Sequence, residues 1–391
     1  MAALYAQALA VPAVAPTDTF AGLGGDSLTY VEVSLGLEEL VGALPAGWET
    51  MAVERLQALA AEPSPTPRRW CRVETGVVLR AGAILLVLAS NMTDVVPAGG
   101  AHLLLALAGF MFARFLLADG ADARWPRRAA GAAARIGLPT MAWIGLMMLT
   151  VGGYGPGVLL LVNDYTGDPG LRDGDWQYWF IEALVQLLLV AALLFSVPAV
   201  RRAERAWPFA LPLALFGIAL LFRFDLLSVG DPTRYIFRPH TVAWLFLLGW
   251  LIQRATRTRR RLLVSALVLA CVPGFFDQPA REAIIAAGLL AVIWLPTVPL
   301  PRIGARLIAP VAAGSLFIYL THWQVWPLMK GWLPVPVMMA VCVLAGIAAL
   351  RVSDRATAWG TIGAHRLGVI LNRRRRAPSG AGRLDPAGAE G

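Results

Sequence analysis

Val77-Val78-Leu79-Arg80-Ala81-Gly82-Ala83-Ile84-Leu85-Leu86-Val87-Leu88 opens the part of the chain that decides the fold. Apart from Arg80 it is wholly apolar, and after it similar stretches alternate with turns and arginine clusters. A bilayer core about 30 Å thick takes roughly 20 apolar residues per helical crossing. Such stretches centre near residues 87, 108, 142, 187, 216, 246, 268, 289, 317 and 342, predicting an all-α fold with about ten transmembrane helices. Composition agrees: a chain of 391 residues that is 58% hydrophobic and 15% charged, with mean hydropathy +0.63, is too apolar for a soluble domain of this size.

The charges give this bundle a direction. The net charge of +9 comes almost entirely from arginine, Lys330 being the only lysine. Starting from Arg68, Arg69 and Arg72, every second loop is basic: Arg124 to Arg135, Arg201 to Arg205, Arg254 to Arg261, Arg302 to Arg306 and Arg351 to Arg376. The alternate loops hold Asp164, Asp168, Asp173 and Asp175, then Asp225 and Asp231, then Asp277. That alternation predicts an even number of spans in the lipid bilayer of the plasma membrane, a multi-pass arrangement with both termini cytosolic. Membrane orientation thus accounts for the basic clusters, and no nucleic acid partner is expected. Cys71, Cys271 and Cys342 lie far apart, and His102, His240, His322 and His365 form no ligand-like spacing, so neither a structural metal nor a disulfide framework is expected. A basic n-region followed by an apolar h-region is absent at the start, which predicts no signal peptide.

Ahead of the spans, residues 1–62 read as a small helical module, 63–72 as a stiff proline-rich linker, 73–362 as the transmembrane domain and 363–391 as a basic, disordered cytosolic tail. Within the module, Leu23-Gly24-Gly25-Asp26-Ser27-Leu28 leads into a helix carrying Val31 and Leu35. A serine at a helix N-terminus suits a phosphodiester, because unpaired backbone N–H groups and the helix dipole favour an anion there. The same residues are also a common turn and N-cap sequence. Two longer loops opposite the basic side, near 153 to 175 and 225 to 238, would cap a cavity for an acceptor or serve as solvated connectors.

The Leu23–Leu28 stretch resembles the modified serine of acyl and peptidyl carrier proteins. That resemblance implies 4′-phosphopantetheine on Ser27 beside Asp26, installed by a phosphopantetheinyl transferase and loaded with an acyl thioester by an adenylating or synthase enzyme. Five further stretches resemble the acyltransferase-3 family of integral membrane acyltransferases. They are Leu79–Leu86; Leu107-Ala108-Gly109-Phe110 with Arg114; Arg135-Ile136-Gly137-Leu138-Pro139; Trp176-Gln177-Tyr178-Trp179-Phe180; and Ser315 to Trp323. The resemblance covers most of residues 70 to 350, and implies transfer of an acyl group from a carrier-bound thioester or acyl-CoA to a hydroxyl or amine of a sugar, lipid or secondary metabolite.

The family pairs a basic residue early in the first span with a histidine eleven residues on, and here those positions are Arg80 and Asn91. Imidazole can take a proton from a hydroxyl near neutral pH, whereas an amide can only orient or hydrogen-bond. Losing such a base costs roughly 10²- to 10⁴-fold in rate. Two readings follow. In one, His322 substitutes as base, since an intramembrane histidine faces a cavity or a partner; its alternative role is to fix the packing of spans one and nine. In the other, the protein is a catalytically impaired relative acting as a membrane platform or translocator. Arg80 must find an anion, a carbonyl or the interface. Arg114, Glu182 and Arg223 are further charges at or within spans that could neutralise one another.

Overall fold

The structure, a computed structural model, describes residues 1–9, 11–25, 27–41, 44–45, 47–61, 70–117, 122–167, 174, 176–227 and 236–376. The leader contains α1 (Ala2–Leu9), α2 (Ser27–Val41) and α3 (Val53–Ala61). They close around Phe20, whose ring meets Tyr5 at 6.2 Å, Tyr30 at 6.0 Å and Trp48 at 5.2 Å between centroids. The glycine pair before α2 has a structural reason of its own. Gly24 has φ +83°, a left-handed conformation that favours glycine, and a Cβ on Gly25 would lie 2.4 Å from the Phe20 ring.

Of the expected linker, residues 63–69 lie outside the described residues, and 70–72 are extended. They belong to β1 (Trp70–Glu74), antiparallel to β2 (Thr297–Pro301), with Trp70 opposite Pro301 and Glu74 opposite Thr297. This two-stranded ribbon is an addition to the expected all-α fold. Its partner strand lies more than 200 residues away and carries Pro299 and Pro301, which an edge strand tolerates and which read locally as loop.

Fourteen more helices follow among the described residues. They are α4 (Thr75–Met92), α5 (Gly100–Met111), α6 (Trp125–Thr150), α7 (Pro156–Leu159), α8 (Asn163–Thr166), α9 (Trp179–Ser196), α10 (Pro198–Ala206) and α11 (Ala210–Arg223), then α12 (Pro239–Arg254), α13 (Thr258–Cys271), α14 (Pro279–Trp294), α15 (Arg302–Ala313), α16 (Ser315–Val325) and α17 (Val335–Arg376). Helix α5 continues into a π-turn, Phe112–Leu116. Met1–Leu350 form one unit and Arg351–Gly391 a second. Residues 363–376, expected to begin a disordered tail, are helical within α17, where no proline interrupts the run before Pro378.

Among the described residues four helices are long and apolar enough to cross a membrane: Thr75–Met92, Trp125–Thr150, Trp179–Ser196 and Val335–Arg355. The number reaches six if α10 with α11, bent by 113°, and α15 with α16, bent by 74°, each count as one crossing. The apolar stretches near 108, 246, 268 and 289 form helices of 12, 16, 14 and 16 residues. At about 1.5 Å per residue each is shorter than a bilayer core. Leu149, Leu193 and Leu344 stand 88%, 72% and 66% exposed on the outer surface of the bundle, as lipid-facing side chains do.

The bundle centre depends on one close crossing. A Cβ on Gly109 of α5 would lie 1.8 Å from the Phe246 carbonyl oxygen, and one on Gly249 of α12 would lie 1.8 Å from that of Ala106. Small residues let backbones approach where lipid offers no hydrophobic drive for helix association. Beside the crossing, Phe112 packs on Phe246 and Trp250, each at 5.3 Å, and Trp125 on Phe195 at 5.3 Å.

The leader is seated on this bundle through Arg114. Its guanidinium donates to Glu49 Oε1 (2.9 Å), Glu74 Oε2 (2.7 Å), Glu74 Oε1 (3.0 Å) and the Tyr30 hydroxyl (3.1 Å), and lies 4.8 Å from the Tyr30 ring centre. Burial pushes the Tyr30 phenol up, so it stays a donor, to Glu74. Glu38 of α2, half-buried on the same side, is pushed up to about 7 by burial and by Glu74, with Arg302 opposing.

Two outcomes follow from these contacts. Gly249→Ala drives a methyl group into the Ala106 carbonyl, and should cost about 3 kcal/mol or more, read as a lower melting temperature in detergent. A carboxyl held above its ordinary value near 4.5 confers stability that is full below about pH 4.5 and is lost as pH rises through about 7. Melting temperature followed by tryptophan fluorescence should fall across that window in the natural protein and less in Glu38→Gln; identical slopes would exclude Glu38 as the source.

Candidate active site

Arg80 and Asn91 stand three helical turns apart on one face of α4, and both look toward α16. Arg80 donates through Nε to Ser315 Oγ at 2.8 Å, and Asn91 Nδ2 lies 3.0 Å from His322 Nε2. Ser315 and His322 are themselves seven residues, two turns, apart on α16. The spacing of each helix therefore presents two polar groups to the other within apolar surroundings.

The hydrogen bonds fix the protonation pattern of His322, which is fully buried. Its Nδ1 faces two backbone carbonyls of its own helix, Tyr319 O at 2.7 Å and Ile318 O at 3.2 Å. Carbonyls only accept, so Nδ1 carries the hydrogen and Nε2 of the neutral ring presents its lone pair to Asn91. The Asn91 amide accordingly donates to Nε2. A bare ring nitrogen directed at the position eleven residues after Arg80 is the kind of group that accepts a proton in acid–base catalysis.

Arg80 and Ser315 are the polar lining of a cavity of about 90 Å³. Its walls are apolar, formed by Gly76 of α4, Leu107 of α5, Ile136 of α6, Leu184 of α9 and the π-turn residues Phe112 and Leu116, among others. Asn91 and His322 are not among its lining residues. The structure thus brings Asn91 and His322 together and Arg80 and Ser315 together, as two stations along α4.

The remaining sequence candidates separate clearly. Ser27 is the first residue of α2, and Asp26 lies outside the described residues. His102 is buried between the rings of Trp179 and Phe276; Arg281 donates to its Nδ1 at 3.0 Å, so Nε2 carries the hydrogen and donates to Ile236 O at 3.0 Å. Both ring nitrogens are occupied, which makes it a packing residue. Arg223 donates to the carbonyls of Cys271 (3.0 Å) and Pro273 (2.8 Å) at the end of α13, and Glu182 accepts from Asp164 N (2.9 Å) and Gln186 Nε2 (3.2 Å). Arg114, Glu182 and Arg223 therefore do not neutralise one another.

Sequence reasoning missed a second polar group beyond His322 on α16. Gln324 donates to the hydroxyls of Tyr154 (2.8 Å) and Tyr178 (2.9 Å) and accepts from Trp143 Nε1 (3.2 Å). The signal was present: Gln324 is two residues past His322 in an apolar helix, where an amide needs partners. Among the described residues no group of three or more His, Cys, Asp or Glu could hold a metal ion.

Neither a search of curated proteins nor a search of solved structures found a match. A family model described as an acyltransferase domain, Acyl_transf_3, matches residues 78–353, which include α4 from Val78 onward, α16 and both of their polar contacts. With that match over more than half of its length, the chain belongs to the acyltransferase-3 family of membrane acyltransferases.

Proposed function

We propose that this protein transfers an acyl group from a phosphopantetheine thioester, borne on its own Ser27 or presented as acyl-CoA, to a hydroxyl or amine of a sugar, lipid or secondary metabolite. The observation that carries the reading is the contact of Asn91 with the bare Nε2 of His322, because it supplies a base at the position where the family has a histidine. Arg80 and Asn91 are eleven residues apart on one helix, about 16 Å at the α-helical rise, so a single small group cannot engage both. An extended donor can. The cavity that Arg80 and Ser315 line takes the phosphate end of its arm, and the rest of the arm extends along α4 so that the thioester reaches toward His322.

In this scheme the acceptor hydroxyl displaces the Asn91 amide from Nε2 and gives its proton there while its oxygen attacks the thioester carbonyl carbon. The freed amide then donates to the oxyanion that forms. Collapse of that intermediate breaks the carbon–sulfur bond, and the thiolate leaves with the proton from the imidazolium. We read the arginine-rich side as cytosolic, with about ten crossings of the plasma membrane and both termini in the cytosol. In the carrier part of this reading, Ser27 at the start of α2 receives its arm from a phosphopantetheinyl transferase and its cargo from an adenylating or synthase enzyme. Tethering would raise the donor toward millimolar effective concentration.

A second reading, an impaired relative serving as platform or translocator, is favoured by the same contact, since the Nε2 lone pair is already occupied by Asn91. Two variants separate the readings. His322→Ala should lower acyl transfer in membranes by roughly 10²- to 10⁴-fold with little change in donor KM. A natural protein without activity that gains it through Asn91→His would instead establish impairment. For the carrier step, intact mass after co-expression with a phosphopantetheinyl transferase should rise by one prosthetic arm and should not rise in Ser27→Ala; no gain, or a gain that survives the substitution, removes Ser27 from the scheme.

A further inference from the structure

The seat of the leader and one wall of the cavity are two faces of a single turn. Met111, Phe112 and Leu116 line the cavity. Arg114 and Phe115, between them, face the leader: Arg114 bonds Glu49 and Tyr30, and Phe115 packs on Phe20 at 5.7 Å and on Tyr30 at 5.1 Å. Residues three and four apart share a face of an α-helix, which would crowd Phe112, Phe115 and Leu116 on one side. Here residues 112–116 form a π-turn. Its wider i→i+5 spacing lets Phe115 turn to the leader while Phe112 stays against Phe246 and Trp250. Such turns are rare and recur at functional sites. The tethers that hold this one are two carboxylates and a phenol from outside the span, all converging on Arg114.

We propose that Arg114 is a positioning residue for the donor: by anchoring the π-turn to Glu49, Glu74 and Tyr30 it fixes Met111, Phe112 and Leu116 as a cavity wall, so that the seated leader is part of the donor-binding site. The role assigned to the cavity rests on the donor reading above. Arg114 lines no part of the cavity and acts through the turn. Lysine cannot replace it, because a compact ammonium lacks the fork that engages Glu49, Glu74 and Tyr30 together.

The test uses the full chain in membrane vesicles with two readouts. In acyl transfer, Arg114→Lys should raise KM for an acyl-CoA donor about tenfold, equivalent to about 1.4 kcal/mol, while KM for an acyl N-acetylcysteamine thioester, which lacks the phosphate end that the cavity takes, stays unchanged. A variant whose two KM values are both unchanged, or both raised alike, overturns the positioning role. The second readout needs no activity. Ala108→Cys puts a thiol on the cavity wall, and its alkylation by N-ethylmaleimide, followed by peptide mass, should quicken about tenfold when Glu49→Gln is added, the same energy as above. Equal rates overturn the coupling whether or not transfer is detected. Faster alkylation in a protein whose natural form transfers from no donor would support the coupling and overturn the donor reading alone.

Discussion

One guanidinium joins the leader, the strand ribbon and the second apolar helix. Arg114 reaches Glu49 and Tyr30 of the leader and Glu74 of β1 from a turn inside the bundle, and its side chain is only 12% exposed. A charge so placed is tolerable only when its donors are met; removing one partner of a buried pair costs about 3–5 kcal/mol. Tyr30 completes the set by donating to Glu74 while accepting from Trp48 Nε1 at 3.3 Å and from Arg114. The leader core then continues without a break into the bundle, since Phe115 packs directly on Phe20. A module that the sequence presents as a separate unit before a linker is in fact seated on the same core as α5.

The site obeys a different constraint, imposed by low dielectric. Polar groups among apolar helices must find partners, and α4 and α16 supply them to each other in two pairs. The pairing has a chemical by-product: because the carbonyls of Tyr319 and Ile318 hold Nδ1–H, the lone pair of His322 is forced toward Asn91. Asn91 and His322 are thus one structural feature, an amide and an imidazole sharing a hydrogen bond between two apolar helices.

Glycine carries two unrelated duties in this chain. At 109 and 249 it lets α5 and α12 touch backbone to backbone. At 24 and 25 it makes a left-handed turn and clears space for Phe20. The second case weakens any argument for modification that rests on the glycine pair alone, because backbone conformation already favours glycine at 24 and packing requires it at 25; what remains for Ser27 is its place as first residue of α2.

By itself the sequence determined the helical membrane character and the family resemblance, because apolar runs and short motifs are local properties that a window of the chain displays. It also gave Arg80, Asn91 and His322 as residues of interest, since polar side chains in apolar helices stand out one at a time. Tertiary structure alone decided which of them meet. Asn91 and His322 are 231 residues apart, and Arg114 and Glu49 are 65 apart; no periodicity reports a contact between helices that are distant in sequence. The same holds for the ribbon of β1 with β2 and for the π-turn, whose neighbouring residues meet the leader on one face and the bundle on another.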